Sequence, residues 1–169
     1  MAYLPESTKQ AIAYCSHGIR TERTDLATVV YAAGPVNLFT ITGGNIAMMM
    51  LRAEVEVLAL DADAAVPRYG ILTAAPYAVA LVYFSIATTT IASFAIGSSV
   101  TVTGTTLGTA PLKQNTIGPT LWGQTAPIVL TPGIIQVTNA VPMTGGATSI
   151  IRHQLFWYPM DDTSTVVAS

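Results

Sequence analysis

The chain is poor in charge and in cysteine. Of its 169 residues only 9% are charged, against about a quarter in a typical soluble domain, while 51% are hydrophobic. The seven basic residues are scattered and the formal net charge is -2, so we expect no nucleic-acid partner. A single cysteine excludes an intrachain disulfide framework. A chain with this composition has more apolar surface than a small monomer usually buries, which predicts that it associates with partner subunits.

Carboxylates are missing from the long stretch between Ala64 and Met160. Catalysis by paired carboxylates, or a hard-metal site, would have to draw on the few that lie outside it. Asp61 and Asp63 resemble a fragment of a calcium loop, but the glycine and the closing glutamate are absent, which favours a solvated turn. No Walker, dinucleotide-binding, GxSxG or HExxH motif occurs. The sequence therefore predicts no enzyme and no cofactor or metal ion.

Two histidines and the cysteine are the other candidates for chemistry. Cys15 precedes His17 by two residues, but one such pair without an orienting group is a poor metal site or Cys–His dyad. His153 alternates with apolar residues in a strand-like pattern. That pattern indicates a hydrogen-bonded histidine in the core or in an interface.

The targeting signals of the sequence are weak. The first ten residues lack the basic start and apolar stretch of a secretory signal, so we expect synthesis in a cytosol. Residues 78–97 run twenty positions without a charge, which is long enough for a membrane helix. Five of them are Ser or Thr and no basic residue lies close to either end, which favours a buried strand and its turn. We therefore expect no membrane partner.

Charge is concentrated at the start of the chain, because the first 26 residues hold six of the sixteen charged side chains. The remainder is rich in Val, Ile, Thr and Gly. This shift predicts an N-terminal arm over 1–26 and a single β domain over 27–169. Within the arm, a short helix at 6–16 and an extended conformation on a neighbour are equal alternatives.

Period-two patterning dominates after the arm and predicts an all-β fold. Its clearest segment is 46–59, where one face is apolar, comprising Ala47, Met49, Leu51, Ala53, Val55 and Val57. Further strands are predicted at 28–32, 36–41, 70–74, 79–87, 99–103, 128–131, 134–139 and 149–158. Many short strands separated by Gly, Pro and Asn turns predict a jelly-roll-like sandwich or barrel.

Two connections have distinctive composition. Gly43 and Gly44 separate the 36–41 strand from the 46–59 strand and predict a tight hairpin. Residues 104–127 are rich in Thr, Gly and Pro and predict a long surface loop. Because Leu121 and Trp122 in this loop would be costly to leave in water, we expect them to contact the domain or a partner.

The second face of the 46–59 strand predicts an interface. Its first half is apolar through Ile46, Met48 and Met50, so we expect it to be covered by a second sheet or by another subunit. The charged half suits cross-strand or intersubunit ion pairs. The predicted interface with other subunits or with a partner therefore comprises Ile46, Met48, Met50, Arg52, Glu54, Glu56, Leu121 and Trp122.

Two segments resemble a known family. Residues 36–57, VNLFTITGGNIAMMMLRAEVEV, and residues 151–168, IRHQLFWYPMDDTSTVVA, are similar to segments of small virion proteins of tailed bacteriophages. The chain thus resembles a capsid decoration, or cement, protein. This resemblance implies a homotrimer with a jelly-roll or related β-barrel body, seated on the outer surface of the virion capsid. There it would bridge copies of the major capsid protein.

Other functions stay open. The chain could be another virion part, such as a tail protein, a head-fibre protein or a minor coat protein. It could also be a carbohydrate-binding attachment module, with Tyr69, Tyr77 and Trp122 as candidates for stacking on a sugar. A secreted or membrane-associated barrel is the third alternative.

Overall fold

The computed structural model describes residues 18–57, 60, 65–75, 79–86, 88, 91–103, 112–114, 127–143 and 148–169. This part of the chain contains eleven strands and one helical turn. The strands are β1 (Ile19–Leu26), β2 (Gly34–Thr42), β3 (Ile46–Val57), β4 (Pro67–Thr73), β5 (Leu81–Tyr83), β6 (Ser99–Thr103), β7 (Leu112–Gln114), β8 (Ile128–Leu130), β9 (Gly133–Asn139), β10 (Ile150–Pro159) and β11 (Thr165–Ala168). The helical turn is α1 (Ala27–Val30).

Two antiparallel sheets pack as a sandwich, which confirms the predicted all-β class. The first sheet has the order β1-β10-β3-β6-β7, and β8 pairs with the start of β3. The second has the order β11-β2-β9-β4-β5. When the short strands β7, β8 and β11 are set aside, the remaining eight, counted along the chain, follow the orders 1-8-3-6 and 2-7-4-5. This is the strand order of a jelly roll.

The core lies between the two sheets and is formed by alternate residues of their long strands. Leu51 and Leu155 come from the first sheet, Ile135 and Val137 from the second, and all four are buried. Each such aliphatic side chain contributes about 1.5–3 kcal/mol by leaving water. A strand in which apolar and polar residues alternate therefore places its apolar side chains in the core and its polar side chains on the outer surface.

A β-bulge at Met49 changes which residues of β3 point into the core. The register between β3 and β10 slips by one residue there. As a result Ile46 and Met48 point into the core and are 0% exposed, while Ala47 and Met49 are only partly buried. The predicted outward position of Ile46 and Met48 is wrong, because strict alternation does not continue through a bulge.

The two glycines after β2 do not form a hairpin, since β2 and β3 belong to different sheets. Gly43 has a φ of +80°, and a Cβ added to it would lie 1.8 Å from the carbonyl oxygen of Thr163. At Gly44 an added Cβ would lie 2.5 Å from the carboxylate of Asp161. Gly43 and Gly44 lie in the connection that crosses from the second sheet to the first, and their lack of side chains makes room for the segment before β11. The hairpin prediction is therefore wrong.

The remaining predictions differ at element boundaries. Strands form within or across each predicted segment after residue 33, although β5 is shorter than predicted. The strand predicted at 28–32 is wrong, because α1 and its following turn occupy that segment. Ile19–Leu26, predicted as part of the arm, is edge strand β1 and pairs with β10. This strand was not predicted because most of the residues on both of its sides are polar. Residues 1–17 of the arm lie outside the described residues.

Within the predicted 104–127 loop, Leu112–Gln114 forms β7, and the rest up to residue 126 lies outside the described part of the chain. Among the residues that the structure describes, no helix has the length and apolar character needed to cross a membrane.

Candidate functional site

The eight residues predicted as an interface do not form one surface. Ile46 and Met48 belong to the core, and Met50, on the outward side of the first sheet, is only 4% exposed. Arg52, Glu54 and Glu56 are partly buried on that same outward side. The other two predicted residues, Leu121 and Trp122, lie outside the described residues. Of the apolar residues in the predicted interface, Ile46 and Met48 are thus covered by the second sheet of the same chain.

The outward side of β1, β10 and β3 is a charged face. Arg152 lies at its centre, with its guanidinium nitrogens 3.2 Å from carboxylate oxygens of Glu54 and Glu56. Arg52 lies 3.3 Å from Glu54. These contacts confirm the cross-strand pairing expected for the two glutamates. Because both signs of charge are paired within the chain, this face does not require a partner to neutralise it.

Electrostatics at Arg152 reflect this pairing. Desolvation by burial acts to lower the pKa of its guanidinium. The hydrogen bond to Glu54 and the negative charges of Glu56, Glu54 and Glu22 outweigh that effect, so the pKa is raised. Arg152 is therefore a permanent cation that organises the carboxylates around it.

The outward side of the second sheet has a different character. One row of laterally paired residues crosses all five strands, and it comprises Val167, Thr40, Ile134, Leu72 and Leu81. Four of the five are aliphatic. Val167 is 56% exposed, and the other four are partly buried. A solvated antiparallel sheet usually carries polar residues at such positions.

The neighbouring rows of this sheet are also nearly free of charge. Gln136 donates its side-chain amide to Asn37 at 2.7 Å, so this polar pair is satisfied within the sheet. The guanidinium carbon of Arg68 lies 3.3 Å from the ring centroid of Tyr83, a cation–π contact. Arg68 is the one ionised side chain on the described strands of this sheet. We call this surface, the outward side of β11, β2, β9, β4 and β5, the neutral face.

The neutral face was not predicted from the sequence, although a signal for it exists. Leu72 follows Ile71 in β4, and Ile134 precedes Ile135 in β9. Consecutive residues of a strand point to opposite faces, so two adjacent aliphatic residues indicate that both faces are apolar. No single segment shows that these positions line up, because the register of five strands brings them into one row.

A buried polar cluster lies inside the sandwich. His153 is 0% exposed and makes edge-on contacts with the rings of Tyr31 and Tyr69, at centroid distances of 6.3 and 6.2 Å. Neither ring nitrogen has a hydrogen-bond partner among the described residues. The core position predicted for His153 is confirmed, but the predicted hydrogen bond is absent from the described structure. Tyr69 is only 1% exposed, so its predicted role in stacking on a sugar is wrong.

Burial governs the ionisation of this cluster. It lowers the pKa of His153 to about 4, with Arg23 acting in the same direction and Asp25 in the opposite one. Burial also raises the pKa values of Tyr31 and Tyr69. All three rings are therefore neutral at pH 7, and the cluster offers no general base in contact with solvent.

An apolar cavity of about 210 Å³ opens where the edges of β5 and β8 face each other. Its lining includes Ile71, Val82, Phe84, Ile128 and Leu130, and none of its lining residues carries a charge. Elsewhere in the described structure, no three His, Cys, Asp or Glu side chains come together to hold a metal ion.

The strand order and these faces define a single jelly-roll sandwich with one charged and one neutral outer surface. No protein-family model, curated protein or solved structure matches the chain. Its function is therefore inferred from the two outer surfaces themselves.

Proposed function

We propose that the chain is a non-enzymatic virion structural protein, a capsid decoration protein of a tailed bacteriophage. It forms a homotrimer, binds the outer surface of the capsid and stabilises the lattice of the major capsid protein. It is made in the host cytoplasm and needs no cofactor. The neutral face is the structural observation that carries the association of subunits, and the capsid and the trimer follow from the family resemblance.

The composition of the neutral face supports burial against protein. Val167, Ile134, Leu72 and Leu81 form an aliphatic row across the full width of the sheet. With strands about 4.8 Å apart and about 20 Å long, the face covers on the order of 500 Å². A specific protein interface buries about 800 Å² on each partner. The neutral face can therefore supply more than half of one such contact.

The electrostatics of the neutral face favour another copy of the chain as the occupant. A surface that carries many charges of one sign repels its own copy, and such repulsion costs several kcal/mol when charges are buried together. Here the one ionised side chain, Arg68, is held over the ring of Tyr83. In a trimer this face would pack against a different surface of the next copy, and it brings no cluster of like charges to that contact. The trimer number comes from the family resemblance.

The charged face is left for solvent or for the coat. Its central charges are paired within the chain, while Arg20 and Glu22 at its edge are more exposed. We assign coat contacts to the arm and the 104–127 loop as well, most of which lies outside the described residues. Contacts repeated by each subunit of a trimer add to avidity, so each single contact can be weak.

Co-sedimentation with empty capsids tests the proposal. The capsids are assembled from the major capsid protein of the same genome, and increasing amounts of the chain are added. We expect binding to saturate at a fixed ratio of three chains for each capsid site, and bound capsids to resist a higher temperature than bare ones. A chain that stays in the supernatant at every capsid concentration contradicts the proposal. Binding to a glycan array instead would favour the carbohydrate-binding alternative.

A further inference from the structure

One open side of the sandwich is closed by a single arginine. Edge strand β1 of the first sheet lies beside β11 of the second, and a hydrogen bond from Arg23 connects it to β2. Arg23, on the inward side of β1, donates hydrogen bonds to the main-chain oxygens of Asn37 and Ser169. It also makes a bidentate pair with Asp25, at 2.5 and 2.9 Å. We call this side of the sandwich, where β1 meets β2 and β11, the seam.

His153 lies directly behind the seam. It is the cross-strand partner of Arg23 in the pairing of β1 with β10, and its ring is fully buried. Its surroundings come from several elements. Strand β1 provides Arg23 and Asp25, the residue after α1 is Tyr31, β4 provides Tyr69, and the paired residue of β3 is Ala53. The ring nitrogens of His153 have no hydrogen-bond partner in the part of the chain that the structure describes.

While the seam is closed, this geometry disfavours the second ring proton that would make His153 positively charged. A protonated imidazole would put a second positive charge beside the guanidinium of Arg23, inside an apolar core and between two neutral tyrosines. The one nearby carboxylate, Asp25, is already bound to Arg23 through both oxygens. Protonation is therefore favourable only when the ring reaches water.

We propose that His153 and Arg23 form an acid-sensitive latch, in which protonation of His153 opens the seam and releases β1 and β11 while the rest of the sandwich stays folded. Strand β1 is suited to this movement because it is an edge strand with polar residues on both sides. Strand β11 is short, and it pairs only with β2 among the described strands. Both strands can leave without breaking the central pairs of either sheet.

The pH window follows from linkage. The pKa of buried His153 is about 4, whereas an exposed histidine titrates near 6.5. The open form therefore binds a proton between these values that the closed form does not, and the opening equilibrium rises as the pH falls. The seam is most stable above pH 6.5. At pH 5 the open population is roughly 20-fold larger than at pH 7, and below about pH 3 it rises little further through this group.

Native-state hydrogen exchange of the full chain at pH 7 and pH 5 tests the latch. Protection factors, which correct for the intrinsic effect of pH on exchange, are compared strand by strand. We expect protection in β1 and β11 to fall roughly 20-fold from pH 7 to pH 5 and protection in the central strand β9 to stay unchanged. Equal loss in all strands would mean global unfolding, and no loss in β1 and β11 would mean a closed seam, so either result overturns the proposal.

Two variants identify the sensor. His153→Phe keeps an aromatic ring against both tyrosines but cannot be protonated, so its seam protection should be the same at pH 7 and pH 5. Asp25→Asn leaves the core intact and removes the carboxylate that is paired with Arg23 beside His153. It should open the seam at pH 7 to some extent and keep the acid response. If Asp25→Asn abolishes the response, or His153→Phe retains it, His153 is not the sensor.

A measurement on the unmodified chain keeps the test valid if His153→Phe fails to fold. The imidazole of His153 is followed by NMR from pH 7.5 to pH 4, together with the amide signals of β1. We expect the ring to become protonated in step with the appearance of the open form. A ring that titrates near pH 6.5 while the β1 signals stay unchanged overturns the latch.

Discussion

Gly43 is a residue whose identity is dictated by two separate constraints. Its φ of +80° lies in the left-handed region, and the carbonyl of Thr163 fills the space that a side chain would occupy. Gly34 has a similar φ of +86°, yet nothing lies within 4 Å of an added Cβ. Substitution of Gly34 therefore tests only the energetic cost of a side chain at positive φ, whereas substitution of Gly43 adds the steric clash with Thr163.

We predict that Gly43→Ala lowers the free energy of unfolding by about 4 kcal/mol, because backbone atoms must move to admit the methyl group. Gly34→Ala is the matched control and should cost about 1–2 kcal/mol, which is the price of the left-handed conformation alone. Urea unfolding of both variants at pH 7 measures the difference. Equal losses would show that Thr163 does not lie against the crossover.

The pattern of residue types predicted that His153 is buried, but it did not predict which groups His153 contacts. The core position of His153 follows from alternation with apolar residues. Its missing hydrogen bonds do not, because they depend on which groups of the other sheet lie opposite it. Arg23 likewise looks like an ordinary charge in the sequence, and only the position of edge strand β1 makes it the residue that closes the seam.

At the scale of elements, the charged face depends on the register between β10 and β3. That register places Arg152 beside Glu54, where the two side chains are 30% and 18% exposed. Arg20 and Glu22 on the same face are 56% and 35% exposed at 3.0 Å. Since solvent screens the more exposed pair, the two pairs should differ in strength although their distances are similar.

A pair of double-mutant cycles checks this difference. The first combines Arg152→Met with Glu54→Gln and should give a coupling energy of about 1 kcal/mol at low salt, falling in 1 M NaCl. The second combines Arg20→Met with Glu22→Gln and should give about 0.2 kcal/mol or less. Thermal or urea unfolding supplies the energies. A larger coupling for the exposed pair would contradict the arrangement of the charged face.

Strand positions were largely predictable because inward and outward residues alternate along β4, β6, β9 and β10. The failures have local physical causes. The bulge at Met49 reverses the alternation within β3, and β1 was missed because its inward side carries polar residues. The glycines after β2 signal a tight approach as readily as a hairpin, and the sequence alone does not distinguish the two.

At the scale of the whole molecule, the all-β class and the jelly-roll-like architecture were predictable from many short strands with turns between them. The association surface was not. Two of the residues predicted for its apolar part, Ile46 and Met48, lie inside the sandwich, whereas the neutral face is assembled from five strands that are distant in sequence. The expectation of partner subunits remains a proposal, now attached to a different surface.

A charge placed in the middle of the neutral face should disrupt association without disrupting the fold. Ile134→Lys would bury an unpaired cation between copies, so we predict a rise of at least about 100-fold in the dissociation constant of the oligomer. Thr24→Glu on the charged face is the control, since it places a carboxylate beside Arg152 and should leave association unchanged. Sedimentation equilibrium gives the constants, and circular dichroism checks folding.

The most direct test of the central claim is the mass of the purified chain at neutral pH and micromolar concentration, measured by native mass spectrometry or light scattering. The neutral face predicts an oligomer without a stable population of single chains, and the family resemblance predicts three chains in each particle. A monodisperse monomer with a folded circular dichroism spectrum would contradict the account, because the aliphatic row across the second sheet would then be stable in water without a partner.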